Sequence, residues 1–122
     1  MKSQNKFSII IAAYNPGDKI IHCLKSIEKS INFFLSKSNL VYEILVINDG
    51  GKEINLNFNH KLKNLKQVKL KKNRGVGYAR QHGAKISKYD NLFFIVSDLV
   101  IKKNTLYALF KDFESLENIG SI

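Results

Sequence analysis

The sequence predicts an α/β fold built on a mainly parallel sheet, and three observations carry that prediction. The apolar runs at 7–13, 42–47 and 91–96 are short and lack strict alternation. Strands buried on both faces read this way, and parallel sheets supply that environment. Segments with three- and four-residue apolar spacing lie between them, the signature of amphipathic helices. Strand, helix, strand, strand, helix, strand, helix is the order of an α/β chain.

Residues 7–13, F-S-I-I-I-A-A, form the first strand, broken by Tyr14-Asn15-Pro16-Gly17. Asp18 is a plausible N-cap for a helix whose stripe is Ile20, Ile21, Leu24, Ile27, Ile31, Phe34 and Leu35. Residues 42–47 make the second strand, stopped by Asn48-Asp49-Gly50-Gly51. The polar stretch 52–65 is loop or short helix. Val68 and Leu70 alternate with lysines, which predicts a third, more exposed strand. Asn73-Arg74-Gly75-Val76-Gly77 turns the chain into a helix over 77–87. Residues 91–96 form a fourth strand closed by Ser97-Asp98, and a last helix covers about 105–117 with Asn104 as its cap. Ile119 to Ile122 reads as the start of another strand. Its open edge would leave apolar surface that invites a homodimer.

At 122 residues and 44% hydrophobic, the chain is one domain at most, with enough apolar residues for a core. One cysteine (Cys23) and three scattered histidines exclude a disulfide framework and a structural zinc site. No apolar run approaches the roughly 20 residues of a membrane helix. Met1 to Lys6 lacks the form of a secretory signal, so the expected location is cytoplasmic. Cys23 falls on the stripe of the first helix and reads as a buried, inert thiol. Seven of the 20 basic residues lie in 61–74. Such a run attracts nucleotides, nucleic acid or an acidic membrane face. With 13 asparagines and lysine at almost every exposed position, it reads here as a solvated face.

In an open α/β sheet, ligands sit beyond the carboxyl ends of the strands. Tyr14-Asn15, Asn48-Asp49-Gly50, Asn73-Arg74-Gly75 and Ser97-Asp98 all follow predicted strands. In a parallel sheet they gather on one edge. One aromatic ring, two carboxylates and two arginines (Arg74, Arg80) around one cleft suit a nucleotide. Each segment taken singly is ordinary turn chemistry; four together point to a site. A dinucleotide fingerprint is excluded, because G-x-G-x-x-G from Gly75 would need glycine where Arg80 stands. A nucleotidyltransferase would want a glycine-rich phosphate loop after the first strand, and Tyr14-Asn15-Pro16-Gly17 is not one.

Four motifs in order, F-S-I-I-I-A-A-Y-N, E-I-L-V-I-N-D-G-G, N-R-G-V-G-Y-A-R-Q-H-G and F-F-I-V-S-D, resemble those of family 2 glycosyltransferases. The usual pattern there is S-I-I-I-P-x-Y-N, E-I-I-V-V-D-D-G-S, N-x-G-x-x-x-A-R-N-x-G and F-L-D-x-D. The resemblance covers nearly the whole chain. It implies the three-layer GT-A fold and transfer of a hexosyl group from a nucleotide-diphospho-sugar to a glycan or lipid-linked glycan, with Mg²⁺ or Mn²⁺. Residues 1–122 would be the N-terminal, donor-binding part of such a domain, in the cytoplasm or peripheral to the inner membrane face. The acceptor-binding part and the general base would lie beyond Ile122.

Residue by residue, the resemblance implies that the Ala12 to Tyr14 segment lines the base pocket, Ala12 offering backbone groups and Tyr14 its ring. Asp49 accepts the base N–H, Arg80 favours the diphosphate, Ser97 takes the ribose contact and Asp98 binds the metal. The chain departs from the family at Val96, where the first metal-motif aspartate is expected. Further departures are Asn48 for an acid, Gly51 for serine and Gln81 for asparagine. Two other function classes compete. One is an inactive nucleotide-binding or regulatory module on the same scaffold. The other is a nucleic-acid binder using the 61–74 lysines, whose affinity would fall steeply with salt; nucleic acid is not the expected partner.

Overall fold

The structure, a computed structural model, describes residues 5–120. Its elements are β1 (Lys6–Ala13), α1 (Lys19–Lys37), β2 (Val41–Asn48), β3 (Leu65–Lys69), α2 (Val76–Ile86), β4 (Asn91–Val96) and α3 (Thr105–Gly120). All strand pairs are parallel, in the order β3-β2-β1-β4. β1 is therefore central and covered on both faces, which is why its side chains do not alternate in polarity.

The two faces hold separate cores. Phe7, Ile9, Ile11 and Ala13 of β1 join Ile44 and Val46 of β2 and Ile95 of β4 beneath α1 and α3. On the other face Ile10, Leu45 and Ile47 pack against Ala79 of α2. Gly83 sets the closeness of that contact. A Cβ there would stand 2.6 Å from the Ile10 Cγ2, so only glycine lets α2 lie this near the sheet.

Two buried polar groups stand on the α2 face. Ser8 Oγ donates to Glu43 Oε2 (2.6 Å), and the same carboxylate oxygen accepts the Lys88 N–H (2.6 Å). Ser8 Oγ in turn accepts the Tyr89 N–H (3.2 Å). The pair satisfies amides of the turn between α2 and β4, which would otherwise be costly to bury.

Two sequence readings need correction. Ile119 and Gly120 are helical, because nothing breaks α3 before a terminal glycine; Ser121 and Ile122 lie outside the described residues. The open apolar edge is that of β4 instead, where Phe94 and Val96 are about half exposed. Asp18 precedes α1 in the helical region and makes no side-chain cap bond; its carbonyl receives the Ile21 and His22 N–H groups. Of the two alternatives for 52–65, loop is the one observed, up to the start of β3 at Leu65.

Candidate functional site

Because every strand is parallel, all four carboxyl ends lie on one edge of the sheet. Ala13 pairs with Asn48 on one side of β1, and Ala12 pairs with Val96 on the other. That register sets Tyr14, Asp49 and Ser97 on the loops of three neighbouring strands. A cleft of about 170 Å³ opens there, lined by Ala12, Ala13, Tyr14, Asp49, Asn73, Gly75 and Val76. Small-molecule sites run from roughly 300 to 1,000 Å³. The cleft thus accommodates one planar ring, with the rest of a ligand lying over the open edge. The Tyr14 ring is 53% exposed and free to stack.

The loops around this cleft are latched by side chains. Asp49, buried at 4% exposure, accepts the Arg74 N–H at Oδ1 (2.8 Å) and the Gly75 N–H at Oδ2 (2.9 Å). Its own N–H donates to the Ala13 carbonyl (2.8 Å). One carboxylate therefore joins the ends of β1 and β2 to the turn that starts α2. It also places an anion at the positive end of that helix. Gly50 (φ +79°) lies against the same turn, where a Cβ would meet the Lys72 carbonyl carbon at 2.2 Å. On the other side, Asn15 Oδ1 accepts the Lys52 N–H (2.8 Å), and a Cβ on Gly51 would collide with that oxygen. The family's serine at this position would displace the Asn15 side chain.

Asn48 is fully buried. Its Nδ2 donates to the Lys52 carbonyl and to Gln67 Oε1, while Oδ1 accepts the Gly51 N–H. An aspartate could not make the two donations. The departure from the acid therefore matches a local network completed by Gln67, which also bonds both backbone groups of Ile54.

Of the six residues singled out in the sequence, Ala12, Tyr14 and Asp49 line the cleft; Arg80, Ser97 and Asp98 are not among its lining residues. Arg80 stands half-buried in the second turn of α2, with no ion pair among the described residues. Asp98 is exposed in the turn after β4. That segment is fixed from α1: Cys23 Sγ contacts the Val96 carbonyl (3.6 Å), and Ser26 Oγ accepts the Ile101 N–H (3.0 Å). Burial, with the charge of Asp98 adding to it, pushes the Cys23 thiol up from 9.0 to about 11. It stays protonated and unsuited to a metal. No group of three His, Cys, Asp or Glu able to hold a cation exists among the described residues. Asp98 fits Mg²⁺ or Mn²⁺ only as a single carboxylate shared with substrate phosphates, an arrangement Mg²⁺ tolerates.

A larger cavity of about 480 Å³ lies behind the Asn15 latch, between the first turn of α1 and residues 52–55. It holds none of the predicted side chains, and its walls include Asp18 and Glu53, the latter tied to Lys69 at 3.2 Å. Lys52 stands beside these carboxylates, so charge alone does not decide; the smaller cleft is the candidate because Tyr14 and Asp49 line it. Sequence reasoning missed Val76 in its lining. It carries no polar signal; only the start of α2 reveals it.

Residues 8–122 match the profile described as Glycosyl transferase family 2. The chain belongs to that family. Poly-beta-1,6-N-acetyl-D-glucosamine synthase of Staphylococcus aureus (strain MSSA476) is 25% identical over 118 residues, covering 94% of this chain and 27% of that protein. The Staphylococcus epidermidis synthase is 26% identical with the same coverage. The crystal structure of S. aureus TarS 1-349 superposes with a TM-score of 0.70 at 27% identity, covering 90% of this chain and 32% of that one. The fold is GT-A, and the chain spans about a quarter to a third of the relatives it matches. In family terms, the Asp49 latch and the Tyr14 ring stand at two of the four motif positions quoted above, while Val96, half exposed beside Ala12, leaves the metal motif with one acid.

Proposed function

We propose that this chain binds the nucleoside diphosphate of a nucleotide-sugar and serves as the donor half of a hexosyl transfer to a glycan or lipid-linked glycan. The observation that carries this reading is the ring-sized cleft at the carboxyl edge, walled by Tyr14, Asp49 and the start of α2. The base stacks on Tyr14 beside the backbone of Ala12, with its N–H directed at a remaining lone pair of Asp49. The ribose lies toward Ser97. The diphosphate runs along the first turn of α2, whose free amides and the Arg80 guanidinium favour anions. Asp98 would hold Mg²⁺ or Mn²⁺ jointly with the diphosphate, a site where such a cation would supply charge neutralisation for the leaving group. In the transfer the bond from the anomeric carbon to the diphosphate breaks, one to the acceptor oxygen forms, and the acceptor proton passes to a base. Asp112 and Glu114 are not that base. They lie on α3, in the layer opposite α2, and Glu114 pairs with Lys111 (3.5 Å).

The names of the staphylococcal synthases favour an N-acetylhexosamine as the sugar. A cytoplasmic setting and a homodimer through the open β4 edge belong to the same proposal. No described helix is long and apolar enough to cross a membrane. Cell fractionation and sedimentation equilibrium test the two points.

Calorimetry with uridine, guanosine and thymidine diphosphates, with and without Mn²⁺, tests the main reading. Binding of one diphosphate, strengthened by Mn²⁺ in the wild type and not in Asp98→Asn, supports it. Absence of binding by all three refutes it. Val96 favours a second reading, nucleotide binding without transfer; manganese-independent affinity and no sugar transfer would select that one.

A further inference from the structure

The whole net charge of +10 arises from one stretch. Residues 54–89 contain ten Lys and Arg and no Asp or Glu, while the remaining residues carry ten of each sign. A proteome-wide lysine bias would not empty 36 consecutive residues of acids. In the fold this stretch makes up the β3 side of the molecule and wraps both faces there: the loop before β3 packs on the α1 face, β3 is the edge strand, and α2 covers the opposite face. Lys61, Lys63, Lys66, Lys71, Lys72, Arg74, Lys85 and Lys88 are all exposed, and none forms an ion pair among the described residues.

We propose that this side docks on an anionic lipid bilayer. The inference is independent of the nucleotide reading. Eight spread cations, mostly lysine, form no cavity and no bidentate fork; they suit a diffuse anionic surface. Tyr78 and Ile86, each 42% exposed, stand on α2 among the cations, where a bilayer interface accepts shallow apolar groups. The aromatics argue against nucleic acid. Arg74 lies over the Tyr78 ring (4.9 Å), His82 stacks on it at 15°, and Phe58 is faced by His60 at 4.4 Å. Proteins that bind single strands offer open ring faces to the bases, and on each of these rings one face is already occupied.

The test is co-sedimentation of the 122-residue chain with phosphatidylcholine vesicles containing none or about 30% phosphatidylglycerol, in about 0.1 M salt. Binding is expected on the anionic vesicles alone, and it should vanish near 1 M salt, where the Debye length shrinks to about 3 Å. Each lysine near such a surface contributes about fivefold. Lys63→Gln, Lys66→Gln and Lys71→Gln together should lower partitioning on the order of a hundredfold. Removing the same charge at the exposed Lys25, Lys29 and Lys103 should cost far less. Equal binding to neutral vesicles, equal losses from both triple variants, or tighter binding of polyuridylate than of anionic vesicles would each overturn the proposal. The salt and lipid titrations need no variant, so they decide the matter even if a triple variant misfolds.

Discussion

Replacing Asp49 separates two roles that the family pattern merges. In the structure both carboxylate oxygens already accept backbone amides, from Arg74 and Gly75, before any ligand arrives. A hydrogen bond to a charged acceptor contributes about 1.5–3 kcal/mol. Arg74 is exposed and Gly75 half-buried, so water compensates part of the loss. Asp49→Ala should therefore destabilise the fold by about 2–3 kcal/mol. Asp49→Asn keeps one acceptor but presents an NH₂ to the other amide, so about 1–2 kcal/mol is expected. Nucleotide affinity should fall roughly tenfold to a hundredfold in the alanine variant, partly because the cleft wall at Asn73 to Val76 loses its anchor. Amide hydrogen exchange on the ligand-free protein discriminates between the roles. A latch predicts that the Arg74 and Gly75 amides exchange on the order of tenfold faster in Asp49→Asn. Unchanged exchange and an unchanged unfolding midpoint would refute the latch and leave Asp49 as a base reader only.

Three further perturbations test the packing around the site. Glu43→Ala strands the Ser8 hydroxyl and the Lys88 amide, and should cost about 2–4 kcal/mol in urea unfolding; a cost under about 0.5 kcal/mol would contradict the assigned network. Gly50→Ala forces a Cβ into the Lys72 carbonyl carbon at positive φ, so a loss above about 2 kcal/mol with weaker nucleotide binding is expected. Cys23 makes stability pH-dependent in the alkaline range. Its thiol ionises near 9.0 when unfolded and at about 11 when folded, so its contribution is complete below pH 9 and declines as pH rises through 11. The stability of wild type relative to Cys23→Ala should therefore drop by roughly 2–3 kcal/mol across that window; a constant difference would show that the thiol is not held protonated.

The fold was legible because its signals are periodic. Both-face burial makes β1 and β2 continuous apolar runs; of the α1 stripe, Ile20, Leu24, Ile27, Ile31 and Phe34 lie buried, Ile21 is partly buried, and Leu35 at its end is about half exposed. The exposed third strand was readable from lysine alternation, because β3 is an edge. What failed was local. Asp18 looks like a cap by residue type, yet its backbone enters the helical region and its side chain makes no cap bond. Ile119-Gly120 looks like a strand start by composition, but a helix already running needs a breaker to stop, and none precedes Gly120.

The site was half legible for a different reason. Turn-forming residues after strands mark where a ligand could sit, and four parallel strand ends must share an edge. What positions those turns is written in residues that composition treats as faults. Ser26 and Ser30 interrupt the apolar stripe of α1, yet their hydroxyls accept the amides of Ile101 and Leu106 and so hold the connection from β4 to α3. Glu43 and Asn48 interrupt β2 and close the turns at its two ends. Each spends a buried polar group on a backbone amide, which stabilises a loop only if the partner is already nearby. The serine and Glu43 pairs are long-range: Ser26 and Ile101 are 75 residues apart, whereas Asn48 closes its own turn at Gly51 and Lys52. No window of local sequence contains both members of the long-range pairs. A polar residue at an apolar position is therefore the one trace the latch leaves in the sequence, and in this chain such residues stand on the elements from which the site loops emerge.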